Sequence, residues 1–442
     1  MTALQKRMEV LFDRLWPIHR SILGSGYRQS LDILSEMVPF ERLRFATGTE
    51  VLDWTIPREW IVREAYVIDP QGRRRWDVKE NNLHLVGYSA PFRGTVSREQ
   101  LEEHLHSIPE QPEAIPYITS YYQERWGFCL THAERMQLSE GEYQVVVDTE
   151  LVPGFLEVGE AVLPGESDEE ILITSYLCHP SMANNELSGP LTLAFLYEKL
   201  AALEKRRYTY RFMVCPETIG SIAYLSERGE HLRRTLHAGY VLTVIGDRGP
   251  FTYKRSWLGS SAADQAAELV LAEYGNHTVM DYFPNGSDER QFNSPGYRLP
   301  FGSLMRTVYA HSLEYHTSLD NKDYISFESL EESVNLCYDV AMAHEVNRSW
   351  VGTVQNGEPF LSKYGVYPTQ HSLKKIEDWK MALLWLLNQS DGTQDLFAIS
   401  QRSGLSITLL HDNALILEKV GLLNRQDEQS ATVSLAPMGG GK

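Results

Sequence analysis

The chain has 442 residues, of which 43% are hydrophobic and 23% charged, a composition typical of globular proteins with two or three domains. Its formal net charge of −18 argues against a nucleic-acid partner and against binding to an anionic membrane, because both need a basic face. The four cysteines form no CxxC pair and no apolar run approaches the ~20 residues of a membrane span. We therefore expect a cytoplasmic protein.

The first 40 residues have apolar side chains at helical spacing, with charged residues between them, which favours an amphipathic helix over a signal peptide. From residue 46 to 149 the pattern changes. Residues 60–69 and 143–148 are typical of strands, and one helix is expected near residues 97–106. The pattern predicts an inserted all-β domain, a sandwich, over residues 46–149.

Strand-like and helical runs alternate through the next part of the chain. Residues 171–175, 208–215 and 240–246 are typical of strands, and helical runs follow each of them. A segment at 313–315 is predicted to lie close to a strand end. Such alternation predicts an α/β domain with a mostly parallel sheet flanked by helices, built from residues 1–45 and 150–365.

The C-terminal region, residues 366–436, has the pattern of a winged-helix module. A helix at 376–387 is followed by a helix-turn-helix over 395–420 and a short turn at 421–423. Its basic residues are matched by acidic ones, so packing or dimerisation is favoured over DNA binding, and a homo-oligomer stays open. Residues 437–442, rich in glycine, are expected to be a disordered tail.

Four metal-capable side chains follow predicted strands in sequence order: His179, Glu217, Asp247 and His316. Each of them alone is weak evidence for a site, since a single polar residue after a strand is usually structural. At successive strand ends, however, two histidines and two carboxylates form a standard Zn²⁺ ligand set. The pattern therefore predicts a zinc site at the carboxyl edge of the sheet.

The order of these motifs resembles the zinc-dependent aminopeptidase family with co-catalytic metals. The histidine precedes Asn-x-x-Ser-Gly at 185–189, then Glu-x-x-Gly-Ser at 217–221, Ser-Asp at 287–288 and His-Thr at 316–317. The chain is more similar still to a bacterial subgroup that adds an inserted β-sandwich and a C-terminal winged helix. Its signatures are matched at residues 55–60, 82–84, 115–117, 126–129, 216–220 and 315–318. Some members of the subgroup are associated with polysaccharide or secondary-metabolite pathways.

The resemblance implies metal roles for particular residues. His179 and Asp247 match the ligands of one metal, and His316 matches the histidine of the second. Asn185 stands where the family has an aspartate that bridges two metals. Because a neutral amide supplies no charge and only one good ligand oxygen, this departure favours one zinc over two.

The family has two adjacent glutamates, a general base and a zinc ligand, where this chain has Pro216 and Glu217. Glu217 is therefore either the base or the ligand, and its role stays open. If it is the ligand, Glu186 and Glu289 are the alternative bases.

Other residues are candidates for contacts around the metal or the substrate. Asp288 is predicted to orient a metal-bound histidine. Glu289, Arg306 and Tyr315 are predicted to lie near the substrate or behind the metal ligands. A cysteine nucleophile at Cys178 is disfavoured, because adjacent residues at a strand end are expected to point to opposite faces.

Three functions remain to be compared. The leading one is a zinc-dependent, aminopeptidase-like hydrolase that cleaves an amide bond in a peptide or a small molecule. The second is the same site acting on a biosynthetic intermediate, such as an N-acyl group, in polysaccharide or secondary-metabolite synthesis. The third is a non-catalytic scaffold that binds a ligand or a partner, since the bridging aspartate and one glutamate are missing.

Overall fold

The computed structural model describes residues 1–366 and 375–426. The chain divides into two compact units, one formed by Met1–Asp264 with Asn276–Tyr338, the other by Gln265–Gly275 with the residues from Asp339 onward. The tail predicted at 437–442 lies outside the described residues.

Helices and strands are interspersed along both described ranges. The helices are α1 (Ala3–Leu15), α2 (Ser25–Ser35), α3 (Arg98–Glu102), α4 (His132–Arg135), α5 (Ser188–Ala201), α6 (Ile219–Thr235), α7 (Ala262–Glu273), α8 (Glu289–Phe292), α9 (Phe327–Val346), α10 (Lys375–Gln389), α11 (Leu396–Ser403) and α12 (Ile407–Lys419). The strands are β1 (Glu41–Ala46), β2 (Glu50–Val51), β3 (Trp54–Thr55), β4 (Glu59–Ile68), β5 (Arg74–Arg75), β6 (Phe92–Ser97), β7 (Leu105–His106), β8 (Phe128–Cys129), β9 (Glu142–Val152), β10 (Phe155–Leu163), β11 (Glu170–Tyr176), β12 (Thr209–Cys215), β13 (Leu236–Leu242), β14 (Phe251–Lys254), β15 (His277–Met280), β16 (Phe301–Met305), β17 (Ser349–Gly352), β18 (Asp391–Asp395) and β19 (Leu423–Arg425).

The first unit is built on an eight-stranded sheet with the order β1-β10-β12-β11-β13-β16-β14-β15. β11 is central, and every one of its residues is buried, which explains why apolar side chains follow one another at residues 171–173 instead of alternating with polar ones. The pairs β11–β12, β11–β13, β13–β16 and β14–β15 are parallel. The other three pairs are antiparallel, since β10 runs opposite to both of its neighbours, β1 and β12, and β14 runs opposite to β16. The α/β prediction is confirmed, but the sheet is mixed rather than mostly parallel.

The inserted segment, residues 46–149, contains one four-stranded antiparallel sheet, β5-β4-β9-β6, and two short pairs, β2–β3 and β7–β8. The predicted sandwich is not confirmed, since no second sheet of that size is formed within 46–149, all of which is described. Pro109, Pro112 and Pro116 explain part of this difference, because proline has no backbone N–H to give to a strand ladder.

A loop of the insertion is joined to the segment that carries His316, an arrangement that we call the clasp (residues 115–118 with 315–318). The Tyr117 N–H donates to the His316 carbonyl at 2.9 Å. The Ser318 N–H donates to the Ile115 carbonyl at 2.9 Å, and the Ile115 N–H donates to Ser318 Oγ at 3.0 Å. The prediction that this segment lies close to a strand end is wrong, because β16 ends at Met305 and turns fill the interval.

The second unit has the architecture of a winged helix, which confirms that prediction. Its sheet has the order β18-β17-β19, and α10, α11 and α12 accompany it. Asp395 and Ser406 cap α11 and α12 by accepting hydrogen bonds from the Ala398 and Leu409 N–H groups. β17 lies before the predicted start at residue 366. No helix in the described ranges is long and apolar enough to cross a membrane.

Candidate functional site

His179 lies just beyond the carboxyl end of β11, in a loop that leads through a π-helix, Ala183–Leu187, into α5. Gly189 allows this path. A Cβ at Gly189 would lie 2.1 Å from Ser175 Oγ and 2.4 Å from the Leu242 carbonyl oxygen. Only glycine therefore lets α5 start this close to β11 and β13, which gives the Ser-Gly of the motif a physical reason.

The two nitrogens of the His179 ring face different carboxylates. Nδ1 lies 2.8 Å from Glu186 Oε2, and Nε2 lies 3.7 Å from Glu217 Oε2. The hydrogen bond to Glu186 occupies Nδ1, and Nε2 is left facing Glu217. Although burial lowers the pKa of His179, its neighbours Cys178 and Glu186 raise it well above the ordinary value. A carboxylate that orients a histidine in this way is the usual support of a metal ligand.

His316 faces the same space from the opposite direction. Its ring centroid is 5.4 Å from that of His179, and Tyr315 and Tyr117 pack on its two sides at 4.0 and 5.4 Å. Its Nε2 is buried and has no hydrogen-bond partner. Burial and the neighbouring His179 lower the pKa of His316 to about 3, so the ring is neutral and can act as a ligand.

Glu217 is fixed at the start of the turn that opens α6. Ser287 Oγ donates to Glu217 Oε1 at 2.8 Å, and the Glu217 N–H lies 3.3 Å from Cys178 Sγ. The next residue, Thr218, has φ 65° and ψ −69°, a conformation that a β-branched residue rarely adopts. The Thr218 N–H donates to Asp288 Oδ1 at 2.7 Å, which stabilises the turn.

Backbone strain is concentrated around this site. Ser181, Thr218, Val244 and His316 all have positive φ, at 49°, 65°, 40° and 55°. Each such residue costs of the order of 1–3 kcal/mol and persists only where its surroundings enforce it. The four segments that carry the candidate residues are thus held in position by the fold.

Asn185 is close to the site, but its polar groups are occupied. The Tyr176 hydroxyl donates to Asn185 Oδ1, and the Asn185 N–H donates to Asp320 Oδ2 at 2.8 Å. Asp320 also accepts the Asn184 N–H, at 2.6 Å, and burial raises the pKa of its carboxyl group to about 7 against the effect of these bonds.

Asp247 belongs to a neighbouring hydrogen-bond network. Its Oδ1 accepts from Thr307 Oγ1 and from the Gly249 N–H, at 2.8 and 2.7 Å. Its Oδ2 accepts from Asn184 Nδ2 at 2.9 Å. Asp247 therefore joins the site through Asn184, next to Asn185, rather than through a hydrogen bond to either histidine.

Asp288 and Glu289 lie in the loop that supports Glu217. Asp288 accepts from Ser221 Oγ at 2.8 Å as well as from Thr218, and burial followed by the charge of Glu217 raises its pKa to about 7. Its contacts are thus to the Glu217 turn, not to a histidine. Glu289 is paired with Lys254 at 2.7 Å, and both side chains are fully buried.

Arg306 and Tyr315 differ in their placement. The Arg306 guanidinium donates to the carbonyls of Gly249 and Ser329, at 2.7 and 3.1 Å, and lies over the Phe251 ring. These contacts hold the framework together. Tyr315 stacks on His316, and burial, followed by the charge of Glu217, raises its pKa to about 12.

Cys178, His179 and Glu186 form a second possible ligand cluster, with one donor atom of each within 4.8 Å of the others. The expectation that Cys178 and His179 point apart is wrong. Cys178 Sγ lies 3.5 Å from His179 Nδ1, because the chain is no longer extended beyond Tyr176. Burial raises the pKa of the Cys178 thiol to about 11, which disfavours a thiolate ligand or nucleophile at neutral pH.

The other side of the His179 ring offers a different donor set. Nε2 faces Glu217 Oε2 at 3.7 Å, and the centroid of the His316 ring, whose Nε2 is unpaired, lies 5.4 Å from that of His179. Two imidazoles with a carboxylate are a known catalytic zinc set. Among the described residues, however, only Cys178, His179 and Glu186 bring one donor atom each within 4.8 Å of one another. On the Nδ1 side, the hydrogen bond to Glu186 already uses the ring nitrogen. The buried, unpartnered Nε2 of His316 is the observation that most favours a cation on the Glu217 side.

Sequence reasoning missed three residues around this centre. Arg20 is fully buried, donates from Nε to the His179 carbonyl at 3.2 Å and lies 4.0 Å from Glu186. The rings of Tyr117 and Tyr176 lie 5.0 and 5.6 Å from the His179 ring. The sequence signal for Tyr117 was its motif at 115–117, which had no assigned role.

Comparison with known proteins places these features in context. Residues 9–347 match the family described as "Domain of unknown function (DUF4910)", and residues 348–425 match a winged helix-turn-helix family. A Clostridium acetobutylicum protein, described as a candidate polysaccharide biosynthesis protein with an aminopeptidase-like domain, is 42% identical over 414 residues. That match covers 93% of this chain and 95% of the relative.

Two solved structures are similar as well. The crystal structure of a candidate peptidase from Clostridium acetobutylicum has a TM-score of 0.90 at 41% identity and covers 96% of both chains. BSAP, a zinc aminopeptidase from Bacillus subtilis, has a TM-score of 0.56 at 11% identity and covers 77% of this chain and 94% of its own. The second likeness is one of fold, and it shows that the first unit resembles zinc aminopeptidases in architecture.

Proposed function

The chain belongs to the DUF4910 family, and from that membership and the geometry of the site we propose that it is a zinc-dependent hydrolase of an amide bond. The observation that carries the proposal is the convergence of His179, Glu217 and His316 from three separate segments. The unpartnered Nε2 of His316, and the positive φ of His316 and of Ser181 and Thr218 in the other two segments, support a metal among these residues.

His179 and His316 would hold one zinc ion through Nε2, with Glu217 beside it. When bound, zinc lowers the pKa of a water molecule and polarises a carbonyl. Glu186 would orient His179 through its contact with Nδ1. Burial raises the pKa of Glu186, while its contacts with His179 and the charge of Arg20, 4.0 Å away, oppose that rise. Asn185 Oδ1 and Asp247 Oδ1 already accept hydrogen bonds from the Tyr176 and Thr307 hydroxyls. Because these oxygens are engaged, the contacts support one zinc ion per chain rather than two.

Glu217 is the residue proposed to move the proton. As general base, it takes a proton from the attacking water and passes it to the nitrogen of the departing amine. Ser287 fixes one oxygen of the carboxylate and leaves the other directed at the histidines. If Glu217 is instead a metal ligand, Glu186 is the alternative general base. Its carboxylate contacts His179 Nδ1, on the side of the ring away from Glu217.

Two substrate classes remain. A peptide with a free amine is the aminopeptidase-like choice that the fold favours. An amide on a biosynthetic intermediate is favoured by one specific observation, the description of the 42%-identical relative as a candidate polysaccharide biosynthesis protein. Turnover of aminoacyl anilides would select the first class, and release of acetate from N-acetylated sugars would select the second.

Contacts inside the winged-helix unit favour a packing module over a DNA-binding one. Arg425 is paired with Glu418 at 2.9 Å, and Arg402 donates to Gln389. Basic side chains that are already paired contribute little to counterion release on DNA.

Metal analysis of purified protein tests the central proposal. We expect one zinc per chain in the wild type and none in His316→Ala, because the remaining imidazole and carboxylate are too few ligands. His132→Ala is the matched control, since His132 lies on α4 in the insertion and contacts Ser107, and it should retain the metal. Folded wild-type protein that takes up no zinc would favour the scaffold hypothesis.

Asn185→Asp is expected to change the metal stoichiometry. The new carboxylate would be buried, with the Tyr176 hydroxyl as its hydrogen-bond partner, so a second cation is expected to offset the cost of burying its charge. We expect two zinc ions per chain in this variant. EDTA treatment should lower its melting temperature by more than it lowers that of the wild type. A variant with one zinc and wild-type EDTA sensitivity would contradict this role for Asn185.

A further inference from the structure

A second cavity, which we call the aromatic groove, lies in the first unit beside the candidate metal centre. It has a volume of about 350 Å³ and is lined by three tyrosines (Tyr88, Tyr121 and Tyr122) together with Ile56 and Leu151. That volume is within the ~300–1,000 Å³ typical of small-molecule sites. Neither the zinc chemistry nor the fold accounts for it.

The outer end of the groove exposes large aromatic rings. Tyr122 is 61% exposed and Trp54 is 38% exposed, and the two rings meet edge to face at 6.1 Å. Neighbouring exposed aromatic side chains are costly to leave in water, and they commonly mark a binding surface. Tyr122 lines the groove and Trp54 lies against it outside the lining, so the pair forms an apolar corner at the entrance.

The inner end of the groove is linked to the candidate metal centre through two tyrosines. Tyr121 lines the groove and packs on Tyr88 at 5.1 Å. Its hydroxyl lies 3.1 Å from that of Tyr117, whose ring is 5.0 Å from His179 and 5.4 Å from His316. A ligand in the groove would therefore lie close to the candidate catalytic residues, with the Tyr121–Tyr117 pair as the connection.

The charges on the groove indicate what it would accept. Its two ionised side chains, Arg58 and Glu124, form an ion pair with each other at 2.9 Å, so neither is left to select a charged ligand. Gln123 and Thr55 add neutral hydrogen-bonding groups. Aromatic faces with a neutral polar rim match a pyranose ring, which has an apolar C–H face and hydroxyl groups around its edge.

We propose that the aromatic groove binds a neutral pyranose ring of the substrate close to the candidate catalytic centre. The inference rests on the proposed function, which it deepens by naming the substrate class as an acylated amino sugar rather than a peptide. Trp54 and Tyr122 are its specificity-determining residues, and they take no part in the chemistry.

The test measures binding of two sugars, N,N′-diacetylchitobiose and maltose, to the zinc-loaded full chain by calorimetry and saturation-transfer NMR. The peptide Leu-Gly-Gly is measured in the same way, as the representative of peptide substrates. We expect the wild type to bind at least one of the sugars, and Trp54→Ala and Tyr122→Ala each to weaken that binding by about tenfold, as loss of an aromatic contact predicts. Trp257→Ala is the matched control, because Trp257 is also exposed, at 48%, and lies against Arg298 rather than against Tyr122.

The possible outcomes separate the two proposals. Sugar binding that is lost in Trp54→Ala and Tyr122→Ala but kept in His316→Ala supports the groove whether or not an amide is cleaved. Cleavage of amides without any sugar binding overturns the groove and leaves the hydrolase proposal in place. The groove proposal would also be overturned if Trp257→Ala weakened sugar binding as much as Trp54→Ala does. Binding of Leu-Gly-Gly that depends on Trp54 would overturn it too. Melting curves of Trp54→Ala and Tyr122→Ala show whether either variant has a folding defect. If one of them does, sugar binding by the other variant tests the proposal.

Discussion

Replacing Glu217 with glutamine is expected to lower turnover by about 10²–10⁴-fold, the range that a general base contributes. Glutamine keeps the size of the side chain and an oxygen that can still accept from Ser287, so the turn before α6 should be preserved. Turnover of the amide substrate and zinc content are measured on the same preparation. Retained zinc with lost turnover assigns Glu217 as the base, and lost zinc assigns it as a ligand.

Two further variants make this result specific. Ser287→Ala removes only the hydrogen bond to Glu217 Oε1 and should lower turnover by a smaller factor. Glu186→Gln keeps an acceptor for His179 Nδ1 but removes the charge, so it should weaken zinc binding more than it lowers turnover of the zinc-saturated enzyme. Turnover of Glu217→Gln within twofold of the wild type would refute both roles of Glu217.

Replacing Lys254 with methionine is expected to lower the free energy of unfolding by about 3–5 kcal/mol, the cost of leaving one member of a buried ion pair alone. Lys254 Nζ is 2.7 Å from Glu289 Oε1 and 2.6 Å from the Asn285 carbonyl, and it also lies 3.8 Å from the centre of the Phe283 ring. Methionine keeps the apolar stem but leaves the Glu289 carboxylate uncompensated. Urea unfolding followed by circular dichroism measures the loss.

The double variant Lys254→Met/Glu289→Leu is the control for the charge argument. Because an apolar pair of similar volume often replaces a buried ion pair at little cost, it should recover most of the lost stability. Turnover should fall in the single variant as well, since the same loop carries Ser287 and Asp288, which hold Glu217 and Thr218. A single variant within about 1 kcal/mol of the wild type would contradict the assignment of this pair as a buried anchor.

The strand and helix around His179 could be predicted because their signals are local. β11 is a buried apolar run, and Ser188-Gly189 marks the start of a closely packed helix. The placement of His316 could not be predicted in the same way, because its backbone conformation is enforced by residues 115–118, far away in the sequence. Tyr117 was missed for the same reason.

Residue type alone also could not show which carboxylates have an oxygen available to a metal and which have both oxygens engaged in hydrogen bonds. Asp247 and Glu217 both follow strands of the same sheet. Asp247, however, receives hydrogen bonds on both oxygens from Thr307, Gly249 and Asn184, whereas Glu217 keeps one oxygen directed at His179. The difference depends on donors supplied by other segments, which no local pattern shows. Arg306 is a similar case, since its partners lie on other elements.

The clasp also sets the order in which the site can be completed during synthesis. The insertion lies early in the chain and can fold on the ribosome before residue 316 has emerged, because chains are made from the N-terminus. Its loop at 115–118 then serves as a template on which 315–318 takes up its strained conformation. With the proposed ligands, zinc would be captured by both histidines only after that step, and metal loading would then mark a nearly finished first unit. An engineered chain without the insertion would have the ligands but no means of bringing them together.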